Sequence, residues 1–327
     1  MPNLKDVMAQ FPDFGETFYL VDANFRTQAQ GWSRADGTGP IDLWAERNPG
    51  YVFGSGGVGS LGYSTDATAA QAAIDAMVDF RGDKLLFTPG AYSIATDLAM
   101  NVPGARYLGP PVRQPRRAAV AVTCTATAST TGVFAVSVDD VEIGFMRLMP
   151  ITAGTFAGAT TGSDGGYVHD VWYDTTGVTA STSTEFMRAP ATVSDWLVER
   201  GYFLVSGLQG DCFTWTTATR WVVQHSIFCT MTASYASVFT LATDCTGNVV
   251  RDCDFTADVD GTYTNIFTGA ANENGQLSVL RCYVNGTALA TAGDIETGFG
   301  TATDIEIAEC YQTGDATTEG GTLIKLT

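Results

Sequence analysis

The segment WLVERGYFLVSGLQGDCFTWTTATRWVVQHSIF (196–228) begins and ends on the same pattern. WLVERGYF (196–203) and WVVQHSIF (221–228) align position for position. The frame recurs on both sides, as VEIGFMRL (141–148), GYVHDVWY (166–173), NVVRDCDF (248–255), LSVLRCYV (277–284) and IEIAECYQ (305–312). The shared column is Ile143, Val168, Val198, Val223, Val250, Val279 and Ile307, with steps of 25, 30, 25, 27, 29 and 28. Five residues further on stand Leu148, Tyr173, Phe203, Phe228, Phe255, Val284 and Gln312. A separate column, Phe156, Phe186, Phe213, Phe239, Phe267, Ile295 and Leu323, runs in phase with the first.

Two registered columns at about 27 residues leave few physical solutions. Leucine-rich repeats need an L-x-x-L-x-L skeleton, which is absent. A sandwich of irregular short strands is the competing reading. A parallel β-helix fits best, because its turns stack at ~4.8 Å and no turn can bury its inner face alone. In the late turns Cys253, Cys282 and Cys310 share one column and read as a packing ladder. Two residues after the valines come Phe145, Asp170, Arg200, His225, Asp252, Arg281 and Glu309. Stacked one turn apart, Asp170–Arg200, Asp252–Arg281 and Arg281–Glu309 would form a charge ladder at a turn, worth ~0–1 kcal/mol per exposed pair.

Composition narrows the function classes. The chain has 327 residues, only 16% of them charged, and 36 glycines. Low charge with much glycine points to tight turns and buried strands. The net charge of −18 repels nucleic-acid phosphate, so no nucleic-acid partner is expected. No apolar run reaches membrane-spanning length and the N-terminus reads as no signal peptide, so no membrane role is expected. Seven cysteines without a C-x-x-C, and only two histidines, argue against zinc. No metal or cofactor is expected, and the cysteines read as buried free thiols made in a reducing cytoplasm. The sequon Asn285-Gly-Thr287 reads as a turn, as does Arg81-Gly82-Asp83.

Residues 64–80 read as a helix: Asp66 or Thr65 can N-cap it, and Thr68-x-x-Gln71 is a capping box. Ala70, Ala73, Ile74, Met77 and Val78 form its apolar stripe. Leu85-Leu86-Phe87, a Thr88-Pro89-Gly90 turn and Ala91-Tyr92-Ser93-Ile94 follow. The whole of STDATAAQAAIDAMVDFRGDKLLFTPGAYSIATDLAMNVPGARYLGPP (64–111) resembles the N-terminal cap of the pectate-lyase-like right-handed β-helix superfamily. With the repeats, the resemblance covers 64–327. It implies an all-β chain: a right-handed parallel β-helix with an N-terminal capping α-helix and an extended N-terminal arm. The division is then 1–62 as an attachment arm with a Gly-rich linker and 63–327 as β-helix. Within the latter, 64–111 is the cap and 112–327 holds turns of about 27 residues.

Many members of that superfamily are bacteriophage virion proteins, so the resemblance implies a virion location with synthesis in the host cytoplasm. The favoured expectation is a structural protein of the capsid surface, a decoration or cement protein binding the major capsid protein or another virion protein, as a homotrimer. The alternative is a tailspike or tail-fibre protein that binds or cleaves host surface polysaccharide; a non-catalytic glycan-binding adhesin is a third reading. Partner contacts are expected from Phe25, Arg26, Trp32 and Trp44 in the arm, and from Arg113, Arg116 and Arg117, a cationic stretch on an acidic chain.

An enzyme is not expected. The superfamily's polygalacturonase-like pattern of N-x-D, D-D, G-H-G and R-x-K is missing. Asp139-Asp140 is the one D-D in the repeats, His169 lies in Val-His-Asp, and His225 in Gln-His-Ser. The carboxylate sets left for a depolymerase are Asp252 with Asp254, and Asp195 and Glu199 with Asp170.

Overall fold

A computed structural model of the chain describes residues 15, 17–21, 51–53, 66–125, 133–150, 154–159, 163–176, 184–205, 211–231, 237–242, 245–258, 261–269, 276–285, 289–297 and 304–313. They form a parallel β-helix with three long sheets, as the repeats require. Each turn lays one strand in each sheet. Sheet A contains Glu142–Gly144, Tyr167–His169, Leu197–Glu199, Val222–Gln224, Asn248–Arg251, Gln276–Leu280 and Asp304–Ala308. Sheet B contains Arg147–Pro150, Trp172–Asp174, Tyr202–Val205, Ile227–Thr230, Asp254–Ala257, Tyr283–Asn285 and Tyr311–Thr313. Sheet C contains Gly154–Ala159, Thr184–Ser194, Asp211–Thr219, Ser237–Leu241, Tyr263–Gly269 and Leu289–Thr297.

The β-branched column pairs residue for residue from Ile143 to Ile307. It continues backwards through Tyr107 and Leu85 to Phe18. In sheet B, Phe203, Phe228 and Phe255 stack at ring distances of 4.6 and 5.1 Å. In sheet C, Phe213, Phe239 and Phe267 stack at 4.9 and 5.2 Å. The two stacks meet edge to face, Phe213 on Phe228 at 6.2 Å. Burying each ring stabilises the turn by ~1.5–3 kcal/mol, with ~0.5–1.5 kcal/mol more for a well-placed aromatic pair.

Two corners hold the turns together. The column after the valines sits at the corner from sheet A to sheet B, and every member from Phe145 to Glu309 is left-handed, with φ from 49° to 58°. The strain is held because the backbone ladder continues through the bend: Asp170 N donates to Glu199 O, Asp252 N to Leu280 O and Arg281 N to Ala308 O. A second left-handed column, Gly104, Asp140, Gly165, Asp195, Arg220 and Gly247, marks the corner from sheet C to sheet A. The charge ladder forms at Asp170–Arg200 (2.9 Å) and Asp252–Arg281 (2.8 Å). Glu309 acts on Arg281 only through space, while Asp195–Arg220 (2.6 Å) adds a pair at the other corner.

The helix is shorter than expected, Asp66–Asp75. The buried Asp83 carboxylate ends it by accepting from Val78 N (2.8 Å) while gripping Arg81 (2.6 Å), and Phe80 turns left-handed. Val78 is therefore exposed and leaves the stripe. Arg81-Gly82-Asp83 is a turn, as expected, and its Asp83 side chain is buried. Gln71 does not face back along the helix as a capping box requires. Its amide pairs with both backbone groups of Ala99, the edge of sheet C, while Asp66 accepts from Ser93 N on the edge of sheet B. The edge of sheet A is covered by Thr17–Val21, on which Tyr51–Phe53 pairs in turn. Part of the N-terminal segment thus builds the solenoid itself, with Phe18 and Leu20 buried. Cys253, Cys282 and Cys310 are buried free thiols in successive turns.

Candidate functional site

Sheet C repeats a polar–apolar–apolar–polar tetrad: Glu185-Phe-Met-Arg188, Asp211-Cys-Phe-Thr214, Ser237-Val-Phe-Thr240 and Asn265-Ile-Phe-Thr268. The central pair is buried in every turn. The tetrad ends are in register, Asp211 beside Ser237, and Arg188 beside Thr214, Thr240 and Thr268 in sequence. The first member of one turn bonds diagonally to the last member of the next. Thr214 Oγ1 donates to Glu185 Oε1 (3.2 Å), Thr240 bonds the Asp211 carboxyl, and Ser237 Oγ meets Thr268 Oγ1 (2.6 Å).

Two carboxyl groups therefore lie on neighbouring turns in different surroundings. Arg188 grips Glu185 through Nε (2.6 Å) and Nη2 (2.8 Å). Asp211 has no ion pair among the described residues. Burial, with the negative charge of Glu185 adding to it and Thr240 opposing it, pushes its carboxyl up to about 6. A buried carboxyl with a raised pKa beside a carboxylate held by an arginine is a candidate general acid.

A denser network crosses the outer face of sheet A. His169 points Nε2 at Glu142 (2.9 Å) and Nδ1 at Asp170 (2.8 Å), stacks on Tyr167 at 4.4 Å, and lies against Gly144, where a Cβ would come within 2.7 Å of the ring. Burial opposes its charge, but bonds to both carboxylates outweigh this and raise its pKa. The His169 bond, with Arg106 assisting, holds Glu142 below the usual range. Arg200 bonds Asp170 and Glu199; Tyr167 (2.5 Å) and Gln224 (2.8 Å) also donate to Glu199. Arg251 completes the chain on Gln224 (2.8 Å). Such a satisfied network makes the face rigid and offers no acid a free proton to give.

The carboxylates singled out in the sequence are dispersed. Asp252 belongs to a corner pair with Arg281, and Asp254 to the outer face of sheet B. Asp195 is held by Arg220 at the opposite corner from Asp170, while Glu199 and Asp170 share Arg200. Arg113, Arg116 and Arg117 are exposed around a short 3-10 turn, with the Arg116 guanidinium 4.8 Å over the Tyr202 ring. Phe25, Arg26, Trp32 and Trp44 lie outside the described residues. Glu185 and Asp211 were missed; the tetrad in phase with the phenylalanine column was the signal that could have found them. Among the described residues no group of three or more His, Cys, Asp and Glu is placed to hold a metal ion, and no helix is long and apolar enough to cross a membrane.

No family model and no curated protein matches the chain. Solved structures do. "Geobacillus virus E2 - ORF18" aligns over 76% of this chain and 57% of its own, at 12% identity and a TM-score of 0.30. An alginate lyase from Paenibacillus sp. str. FPU-7 aligns over 76% and 96%, at 14% and 0.37. The A-module of the Azotobacter vinelandii mannuronan C-5 epimerase AlgE4 aligns over 79% and 95%, at 11% and 0.28. Others are catalytic domains of α-1,3-glucanases. This chain spans little more than half the length of the viral protein. The likeness is one of fold, the β-helix expected from the cap and the repeats. The expectation of a non-enzymatic chain is corrected here: the similar structures are in the main glycan-active enzymes.

Proposed function

We propose that the chain is a glycan-active β-helix protein, of the tailspike or tail-fibre kind, that binds a host surface polysaccharide across sheet C and hydrolyses it. The observation that carries the reading is Asp211, a carboxyl pushed up to about 6 beside the arginine-held Glu185. In its protonated form Asp211 gives its proton to the glycosidic oxygen as that bond breaks. The Glu185 carboxylate, held by Arg188, attacks the anomeric carbon to form a glycosyl ester as the leaving sugar departs, and a water deprotonated by the Asp211 carboxylate then cleaves that ester, releasing the sugar and restoring both groups. Neighbouring turns are ~4.8 Å apart, nearer the ~5–5.5 Å between carboxyl groups in retaining glycosidases than the ~6.5–9.5 Å of inverting ones. Retention is the expected outcome.

The test is incubation of the purified chain with a panel of bacterial surface polysaccharides and neutral homoglycans, following chain length. Asp211→Asn and Glu185→Gln should each lower cleavage by ~10²–10⁴-fold, the usual share of a positioned acid or base, with the fold intact. Cleavage of no member of the panel, or cleavage that survives both substitutions, overturns the proposal.

A further inference from the structure

We infer that the outer face of sheet B pairs two copies of this chain antiparallel, about a two-fold axis through Ile227, where the resemblance implied three copies. The strand register sets Arg147, Trp172, Tyr202, Ile227, Asp254, Tyr283 and Tyr311 in one outer column, one per turn. Their chain neighbours Phe203, Phe228 and Phe255 point inward. Ile227 is 40% exposed and Tyr311 59%, and Met231 is exposed just past the end of the Ile227–Thr230 strand. Exposed apolar and aromatic side chains that recur along one column, with charges at fixed places within it, mark an interaction surface.

The charges along the strip say what covers it. Its first half is cationic. Arg147, paired with Asp174, lies 4.0 Å over the Trp172 ring, Arg116 lies 4.8 Å over Tyr202, Arg117 is exposed on the same short turn as Arg116, and Arg113 is exposed just before it. Its second half carries Asp254, exposed and without an ion pair among the described residues. Ile227 separates Tyr202 from Asp254 by one turn on each side. A two-fold axis there sets Arg116 and Tyr202 opposite Asp254 of the second copy, Trp172 opposite its Tyr283, and Arg147 opposite its exposed Tyr311. Every contact is made twice, as an isologous interface demands. Parallel pairing would set cation against cation. On a chain of net charge −18, two copies repel wherever carboxylates face each other, so a low-charge, self-complementary strip is where they can meet. The strip is ~30 Å long from its turn spacing, which makes the interface small and the dimer reversible.

Sedimentation equilibrium of the full chain, up to ~200 µM to suit so small an interface, should show a monomer–dimer equilibrium. Ile227→Asp buries two carboxylates against each other on the axis and should weaken the dimer by ~100-fold or more. Asp254→Arg should weaken it similarly, and Arg116→Asp combined with Asp254→Arg should restore it to within ~10-fold, because the pairs are only reversed. In a Cys229→Ser background, Ile227→Cys under mild oxidation should give a covalent dimer, since a residue on a two-fold axis meets itself. A monomer throughout the range overturns the inference. So does an oligomer indifferent to Ile227→Asp, or a charge reversal that fails to rescue while circular dichroism shows an intact fold.

Discussion

Replacing His169 by alanine is the sharpest test of what holds sheet A. Both ring nitrogens face carboxylate oxygens, at 2.9 and 2.8 Å, so both must carry protons and the ring is an imidazolium bridging Glu142 and Asp170. Removing one member of a buried charge cluster typically costs ~3–5 kcal/mol. Glu142 is about a quarter exposed, which favours the lower end, and the lost contacts with Tyr167 and Phe145 add to it. A destabilisation of ~3–4 kcal/mol at pH 5.5 is expected, read by urea unfolding with tryptophan fluorescence. The sign with pH follows from the direction of the shift. The folded pKa of His169 lies above its ordinary value, so its contribution is fully present below about pH 6.5 and is lost as pH rises through the raised value. Glu142 is shifted the other way, so its share is present above about pH 4.5 and is lost on acidification below that. The cost of His169→Ala must therefore shrink from pH 5.5 to pH 9.5. An equal cost at both, or one below ~1 kcal/mol at pH 5.5, would refute the bridging imidazolium.

Two further outcomes concern the interior. Gly166→Ala places a Cβ 2.3 Å from the ring of buried Trp196, which also donates to Ser163 O, so overpacking should lower stability by ~1–3 kcal/mol and show in the thermal melt. Hydrogen bonding with Cys253 leads burial in pushing the Cys282 thiol up to about 12, and its partner Cys310 is raised too. Iodoacetamide at pH 8, followed by mapping of labelled sites by mass spectrometry, should therefore mark half-buried Cys229 before either; early labelling of Cys282 would show that the last turns open.

The sequence made the inner face of sheet A legible because a β-branched residue recurs at the same place in every repeat from Ile143 to Ile307, a regularity that only stacked turns require. It also placed the Leu148-to-Gln312 column correctly. The phenylalanine column of sheet C was legible only from Phe213 to Phe267. Phe186 is one residue out of register, since Met187 pairs with Phe213, and Ile295 likewise, since Glu296 pairs with Phe267. Two consecutive apolar residues are buried in each turn there, so hydrophobicity does not say which one sits in the ladder. The same doubling hid the candidate site. Glu185 and Asp211 looked like ordinary surface acids because what sets them apart is the diagonal partner one turn away. The left-handed corner was legible as a charge column but not as a backbone conformation, because Phe145, Arg200 and Glu309 have no intrinsic liking for positive φ. The neighbouring turns impose it.

Those corners also decide where the chain can vary. From each left-handed residue entering sheet A the count is fixed: three residues to the β-branched column, two more to the next left-handed residue, three more to the sheet B column. Asp195, Val198, Arg200 and Phe203 obey it, and so do Arg220, Val223, His225 and Phe228. All differences in repeat length therefore accumulate in one seam, between the strands of sheet B and the exit from sheet C. A mutation that adds or removes a residue in that seam, outside the sheet C strands themselves, leaves the interior ladders in phase, whereas the same change between the corner entering sheet A and the sheet B column puts the side chains of that turn out of step. The seam borders Glu185 and Asp211, so descendants of this sequence can reshape what reaches those carboxyl groups by insertion and deletion while the scaffold is inherited unchanged.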